Sequence, residues 1–240
     1  MRNIAIILAG GVGHRYKADI PKQFIIIDEY TVLEWSVRAF VFHPGIDEIC
    51  VVIPHEWIEY TKKILNPSKG ECFSKIRHIV AGGKERHLST AIGLNLYTHE
   101  SCRFLIHDAA RPFITPSIIS KCLDNDYEAC AVGIPVSSTI WQTDNQNELI
   151  SHIPKRNVLW EAQTPQCFYD NILRQAFDYA KNDNIFDFTD ECSVVKYYLP
   201  KVPIHLIEGE VTNIKITHPS DIILAKEILA NRKMIRSNNF

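Results

Sequence analysis

A chain of 240 residues with 46% hydrophobic residues has ample material for the core of one large domain, or of one domain with an appendage. A formal net charge of -2 without a long run of one sign excludes a surface devoted as a whole to nucleic acid or anionic membrane, so any polyanion site is local. No apolar stretch approaches the roughly 20 residues of a membrane-spanning helix, and Ile4 to Leu8 is too short for a signal peptide, so the expected compartment is the cytoplasm. The seven cysteines (Cys50, Cys72, Cys102, Cys122, Cys130, Cys167, Cys192) are scattered and never spaced C-x-x-C, which reads as reduced, mostly buried thiols rather than a disulfide framework or a zinc site.

Short β-branched runs predict strands at Ile4–Leu8, Ile49–Ile53, Ile76–Val80, Phe104–Ile106 and Ala129–Ile134. Between them, Thr31-Val32-Leu33-Glu34 is a capping box opening a helix through Trp35, Val37 and Phe40, and Glu56–Leu65 and Leu88–Tyr97 have helical periodicity. Such alternation predicts a parallel, doubly wound sheet that binds ligands beyond the carboxyl ends of its strands. From Pro135 to Pro165 the chain turns polar, and the turn signals of Thr143-Asp144-Asn145-Gln146-Asn147 predict a hairpin-like excursion. A helix around Ile172–Tyr179 and one opened by Thr189-Asp190-Glu191 follow, then strands near Ile204–Ile207 and Ile214–Ile216. A last helix begins at Pro219 and gives way to a solvated tail.

The glycine cluster of Ile6-Ile7-Leu8-Ala9-Gly10-Gly11-Val12-Gly13-His14-Arg15-Tyr16 suggests a dinucleotide fingerprint, but Tyr16 stands where its third glycine belongs. Pro21 then interrupts the helix on which a pyrophosphate would sit, and no Gly-Lys-Ser/Thr of a P-loop is present. What remains is a small-residue loop followed by Arg15 and Lys22, which suits a nucleoside triphosphate, or else is an ordinary turn beside surface cations. Ala81-Gly82-Gly83-Lys84-Glu85-Arg86-His87-Leu88-Ser89 forms a second glycine loop between a strand and a helix, with Ser89 able to bond a base or ribose or else an ordinary first-turn serine. In Ile106-His107-Asp108-Ala109-Ala110-Arg111-Pro112, Asp108 is placed to hold Mg²⁺ with substrate phosphates, or to cap a turn beside Arg111.

These motifs, with Pro21-Lys22-Gln23, Thr164-Pro165-Gln166, Thr189-Asp190-Glu191 and Asn213-Ile214-Lys215-Ile216-Thr217, occur in an order that resembles the cytidylyltransferases acting on 2-C-methyl-D-erythritol 4-phosphate or ribitol 5-phosphate. The resemblance implies an α/β fold, a Rossmann-like doubly wound, mostly parallel sheet in a single domain over residues 1–240. It also implies a protruding β-arm over about 135–160 that serves homodimerisation; beyond the resemblance, which ends at about Ala225, the residues from about 231 to 240 read as a flexible tail. It implies transfer of CMP from CTP to a linear polyol phosphate with release of pyrophosphate, assisted by Mg²⁺ or another divalent cation. The erythritol acceptor of isoprenoid precursor synthesis comes first, and ribitol 5-phosphate for surface polysaccharide second. By the family pattern, Arg15, Lys22, Arg156 and Lys215 are catalytic. CTP is held by Leu8, Ala9, Gly10, Gly11, Gly82, Gly83, Ser89 and the metal ligand Asp108. The polyol phosphate is met by Arg111, Thr139, Arg156, Thr164, Thr189 and Lys215.

The sequence departs from the erythritol branch at His14, where another basic residue is usual, and at Thr212, where an aspartate is usual. Leu8-Ala9-Gly10-Gly11 and Pro54-His55-Glu56-Trp57 look more like the ribitol branch. Lys215 inside a short apolar run reads as a positioned side chain or as a snorkelling edge lysine, and Thr189 reads equally as a helix N-cap. The rival classes are an NAD-dependent oxidoreductase and a catalytically silent nucleotide-binding subunit.

Overall fold

The computed structural model describes residues 1–10, 20–66, 73–98, 101–185 and 187–237. Eleven strands occur among them: β1 (Arg2–Leu8), β2 (Ile26–Ile27), β3 (Tyr30–Thr31), β4 (Glu48–Ile53), β5 (Ile76–Ala81), β6 (Cys102–Asp108), β7 (Ala129–Pro135), β8 (Gln142–Thr143), β9 (Ile150–His152), β10 (Trp160–Tyr169) and β11 (His205–Glu208). The helices are α1 (Val32–Val41), α2 (Ile58–Ile64), α3 (Arg86–Asn95), α4 (Pro116–Leu123), α5 (Asp170–Asp183), α6 (Glu191–Tyr198) and α7 (Ser220–Ser237).

Seven strands form one sheet in the order β11-β7-β10-β6-β1-β4-β5. All run the same way except β10, which is antiparallel to both of its neighbours. The sheet is therefore mostly parallel, as the strand–helix alternation predicts. On β1 the period of two is plain: Ala5 and Ile7 join the core under α1, α2 and α4, while Ile4, Ile6 and Leu8 join the core under α3, α5 and α6. Helices on both faces explain why β1 reads as a continuous apolar run rather than an alternating one. A third core packs α7 on Ile27, Val32, Phe113 and Ile216.

The predicted strands and helices form near their expected places, with the Thr31 and Glu34 capping box made in both directions. The excursion holds the β8–β9 hairpin, turned by Asn147 at a φ of 60°. One expectation fails. Residues 214–216 join no ladder: Ile216 N–H donates to Ala110 O in the turn after β6, and Ile216 O accepts from Lys22 Nζ. Helix α7 runs through Ser237 and buries Ala225, Ile228 and Leu229. Helix α4 escaped the sequence reading, although Thr115 as N-cap and Pro116 in the first turn mark its start.

Candidate active site

The sheet order reverses beside β1, whose neighbours β4 and β6 lie on opposite sides, and the crevice beyond the carboxyl ends there is where an open α/β sheet binds ligands. Leu8 and Asp108 face each other as the last paired residues of β1 and β6. Three further backbone bonds draw the following loops together: Ala9 N–H donates to Val52 O, Ala109 N–H to Leu8 O and Gly82 N–H to Ile53 O.

The two glycine loops meet at Ser89. A Cβ at Gly10 would stand 3.6 Å from Ser89 Oγ, and one at Gly82 would stand 2.8 Å from it. At Gly83 a Cβ would come within 2.4 Å of Leu88 Cβ, so only glycine fits. Ser89 Oγ accepts the Gly83 N–H and donates to Glu85 O, both at 3.2 Å. Leu8, Ala9, Gly10, Gly82, Gly83 and Ser89 are thus brought together, as the two-loop cradle predicts. Gly11, Arg15 and His14 lie outside the described residues.

Asp108 is the electrostatic centre. Its Oδ1 accepts from Arg86 Nε at 3.2 Å and its Oδ2 from Lys215 Nζ at 2.6 Å. Burial alone would push this carboxyl's pKa up, but Arg86 and Lys215 outweigh it and hold it well below the usual carboxylate range. Arg86 is in turn gripped by Glu191, whose two oxygens lie 2.6 and 2.8 Å from Nη1, and Glu191 also accepts from Thr90 Oγ1 at 2.7 Å. Burial works against the Arg86 cation, yet Glu191 and Asp108 raise its pKa above the ordinary guanidinium value. The order Lys215, Asp108, Arg86, Glu191 alternates in sign, so each buried charge has a partner.

Lys22 reaches the same place from the loop before β2, its Nζ donating to Ile216 O at 2.8 Å, next to Lys215. Gln23 Nε2 ties that loop to Ala9 O at 2.9 Å. Thr164 is buried on β10, where the pairing with β7 is irregular between Ala162 and Gln166, and Asp108 N–H donates to its Oγ1 at 3.2 Å. Arg111 is also buried there. Thr139 and Arg156 are exposed on the excursion, where Arg156 Nη1 donates to Ser137 O, and Thr189 is exposed ahead of α6. Asp190, not Thr189, caps α6, its carboxylate accepting the Ser193 N–H at 2.8 Å. Arg86 and Glu191 were missed as a pair. Each sits in a motif quoted from the sequence, but the 105 residues between them leave no local sign of the contact.

Asp108 can serve a divalent cation: two of its roughly four lone-pair positions are used, and the rest of the shell would come from phosphate oxygens and water. Among the described residues no group of three His, Cys, Asp or Glu side chains stands ready as a metal cage. Thr212 bonds Glu210 Oε2 at 3.3 Å and offers no carboxylate of its own.

The sequence model of the 2-C-methyl-D-erythritol 4-phosphate cytidylyltransferase (IspD) family matches residues 3–231. Over 227 residues the chain is 37% identical to the 2-C-methyl-D-erythritol 4-phosphate cytidylyltransferase of Lachnoclostridium phytofermentans, covering 94% of this chain and 95% of that protein. It is 36% identical over 242 residues to the bifunctional ribulose 5-phosphate reductase/CDP-ribitol pyrophosphorylase Bcs1 of Haemophilus influenzae, covering 99% of this chain but 50% of that longer protein. The crystal structure of 4-diphosphocytidyl-2C-methyl-D-erythritol synthase from Anaerococcus prevotii superposes with a TM-score of 0.82 at 28% identity, over 95% of this chain and 96% of that one.

Proposed function

The chain belongs to the 2-C-methyl-D-erythritol 4-phosphate cytidylyltransferase family, and from that premise we propose that it transfers CMP from CTP to 2-C-methyl-D-erythritol 4-phosphate, releasing pyrophosphate. Its class is that of a nucleotidyltransferase. The observation that carries the reading is the match of the family along residues 3–231, which takes in both glycine loops, Asp108 and Lys215.

In this reaction a phosphate oxygen of the acceptor attacks the α-phosphorus of CTP, and the bond to the β-phosphate oxygen breaks in line. No protein nucleophile is needed, so catalysis consists of positioning and neutralising charge. The cytosine and ribose are assigned to the cradle of Leu8, Ala9 and Gly10 with Gly82, Gly83 and Ser89, where a Cβ at 82 would strike Ser89 and one at 83 would strike Leu88. By the family pattern, Lys22 and Arg15 neutralise the charge gathering on the α-phosphate and the departing pyrophosphate. Lys215 steers the incoming phosphate, aided by Arg156 and Thr139 from the arm of a second subunit and by Thr189. A Mg²⁺ on Asp108 would draw negative charge from the triphosphate. Asp108 would hold that ion through lone pairs left beside its contacts with Arg86 and Lys215.

The 36% identity with the CDP-ribitol pyrophosphorylase of Haemophilus influenzae supports ribitol 5-phosphate as the second reading of the acceptor. Pyrophosphate release from CTP and Mg²⁺ with each acceptor decides between them. The expected result is release with 2-C-methyl-D-erythritol 4-phosphate, and a Lys22→Ala variant at least about a hundredfold slower. Release with neither acceptor, or an unaffected Lys22→Ala variant, refutes the proposal.

A further inference from the structure

Lys22, Gln23 and Phe24 form a single 3₁₀ turn, closed by Phe24 N–H donating to Pro21 O at 2.9 Å and Ile25 N–H donating to Lys22 O at 3.2 Å. Three residues complete one revolution of such a turn, so three successive side chains leave it about 120° apart. Here each goes to a different part of the fold. Lys22 Nζ donates to Ile216 O at 2.8 Å, beside Lys215. Gln23 Nε2 donates to Ala9 O at 2.9 Å, in the first glycine loop. The Phe24 ring centroid lies 4.7 Å from that of Trp57 and 5.0 Å from that of Tyr60, at the start of α2.

Gln23 is the directional member of the three. It is only 2% exposed, and an amide buried so deeply costs free energy unless it is bonded. Its partner belongs to a residue that is itself fixed, because Ala9 N–H donates to Val52 O at 2.8 Å on β4. Ala9 therefore has its N–H on the sheet and its carbonyl on the Lys22 turn, and Gly10 follows it towards Ser89. The packing of Phe24 on two rings gives the turn an apolar foothold, but apolar contact is non-directional, whereas a hydrogen bond fixes both distance and angle. The Lys22 ammonium rides on a flexible stem of four carbons, so its reach depends on where its own backbone is held.

We propose that Gln23 is a positioning residue: by bonding Ala9 O it fixes the Lys22 turn against the loop that cradles the nucleotide, and so sets where the Lys22 ammonium meets the phosphates relative to the base. The proposal rests on the cytidylyltransferase reading for the part that Lys22 plays at the phosphates. The cradle keeps its own ties to β4, through Ala9 N–H to Val52 O and Gly82 N–H to Ile53 O, so loss of the Gln23 bond falls on Lys22 rather than on CTP binding.

Gln23→Met keeps the length of the side chain and removes the donor. In pyrophosphate release with the acceptor that the unaltered enzyme uses, this variant lowers kcat about tenfold or more while the KM for CTP stays within about threefold. In a Lys22→Ala background the same change costs less than about twofold, because the amide acts through the lysine, whereas a general loosening of the fold would cost as much in either background. Hydrogen–deuterium exchange without substrates reads the tie itself: the Phe24 and Ile25 amides exchange several-fold faster in Gln23→Met, and those of β1 do not. A raised KM for CTP with kcat unchanged, additive losses, or unchanged exchange at Phe24 and Ile25 overturns the proposal. If Gln23→Met does not fold, Gln23→Asn, one methylene shorter, is read by the same measurements and is expected to show the same pattern. If the cytidylyltransferase reading itself fails, the unaltered enzyme releases no pyrophosphate with either acceptor, while the exchange rates still report on the tie.

Discussion

Glu191 is 1% exposed and holds the one strong anchor of Arg86 outside Asp108. Its worth lies less in the attraction it supplies than in what its loss would strand: a largely covered guanidinium and the Thr90 hydroxyl. Glu191→Ala is therefore expected to destabilise the protein by about 3 kcal/mol, measured by urea unfolding, and to raise the KM for CTP as Arg86 and Asp108 shift. An unchanged midpoint would show that the pair is incidental. A second residue, far from the crevice, sets a pH dependence. His43 Nδ1 accepts the Gly45 N–H at 3.1 Å and Nε2 lies 3.0 Å from Ser120 Oγ, so a proton added to Nδ1 would break the first bond. Burial lowers this imidazole below its ordinary 6.5, with Lys75 adding to the shift and Asp124 opposing it. As pH falls through 6.5 the unfolded chain takes up a proton that the folded chain refuses, so stability is full above that pH and declines below it, by at most about 1.4 kcal/mol per pH unit. Urea midpoints between pH 7.5 and 5.5 should fall more steeply for the unaltered protein than for His43→Gln.

At the scale of elements, α1 shows local and tertiary signals agreeing. Thr31 Oγ1 accepts the Glu34 N–H at 3.1 Å and Glu34 Oε2 accepts the Thr31 N–H at 2.8 Å, while Leu33, Val37 and Phe40 enter the core. Thr31→Ala should cost about 1 kcal/mol by thermal unfolding with the fold retained, since the apolar face still drives the helix to pack. This capping box could be read from four letters because its partners are three residues apart. Strands β1 and β4 could be read likewise, because burial on both faces demands apolar runs. Residues 214–216 could not: Ile214 and Ile216 have a strand's composition, yet Ile216 turns into the core beneath α7 and no neighbouring strand pairs with this stretch. Of the site, the glycine loops, Asp108, Lys22 and Lys215 stood out as motifs. The pairing of Arg86 with Glu191 and the burial of Arg111 did not, since both depend on residues about a hundred positions away.

At the scale of the whole molecule, the excursion leaves Ile140, Trp141, Leu149, Ile150, Ile153 and Val158 exposed, a concentration of apolar surface that a monomer has reason to avoid. Arg156 and Thr139 are exposed on the same arm. The homodimer that the arm suggests makes a joint prediction. Replacing residues 140–153 with a short turn should leave cooperative unfolding intact, convert a dimer to a monomer in sedimentation equilibrium, and abolish pyrophosphate release. An unaltered chain that sediments as a monomer at micromolar concentration would refute the arm's role.

The amino-acid order alone carried the α/β architecture, the capping box of α1 and the two glycine loops, because periodicity, capping and backbone freedom act between residues close in the chain. It also carried the family resemblance, through the order of motifs too weak to argue singly. Packing in three dimensions settled what those motifs do to one another: which carboxylate holds Arg86, which carbonyls hold Arg111, and why Lys215 meets Asp108 from a segment without a strand. These are bonds between groups 51 to 107 residues apart, formed only where buried charges and carbonyls must find partners, and the local sequence does not encode where such partners lie.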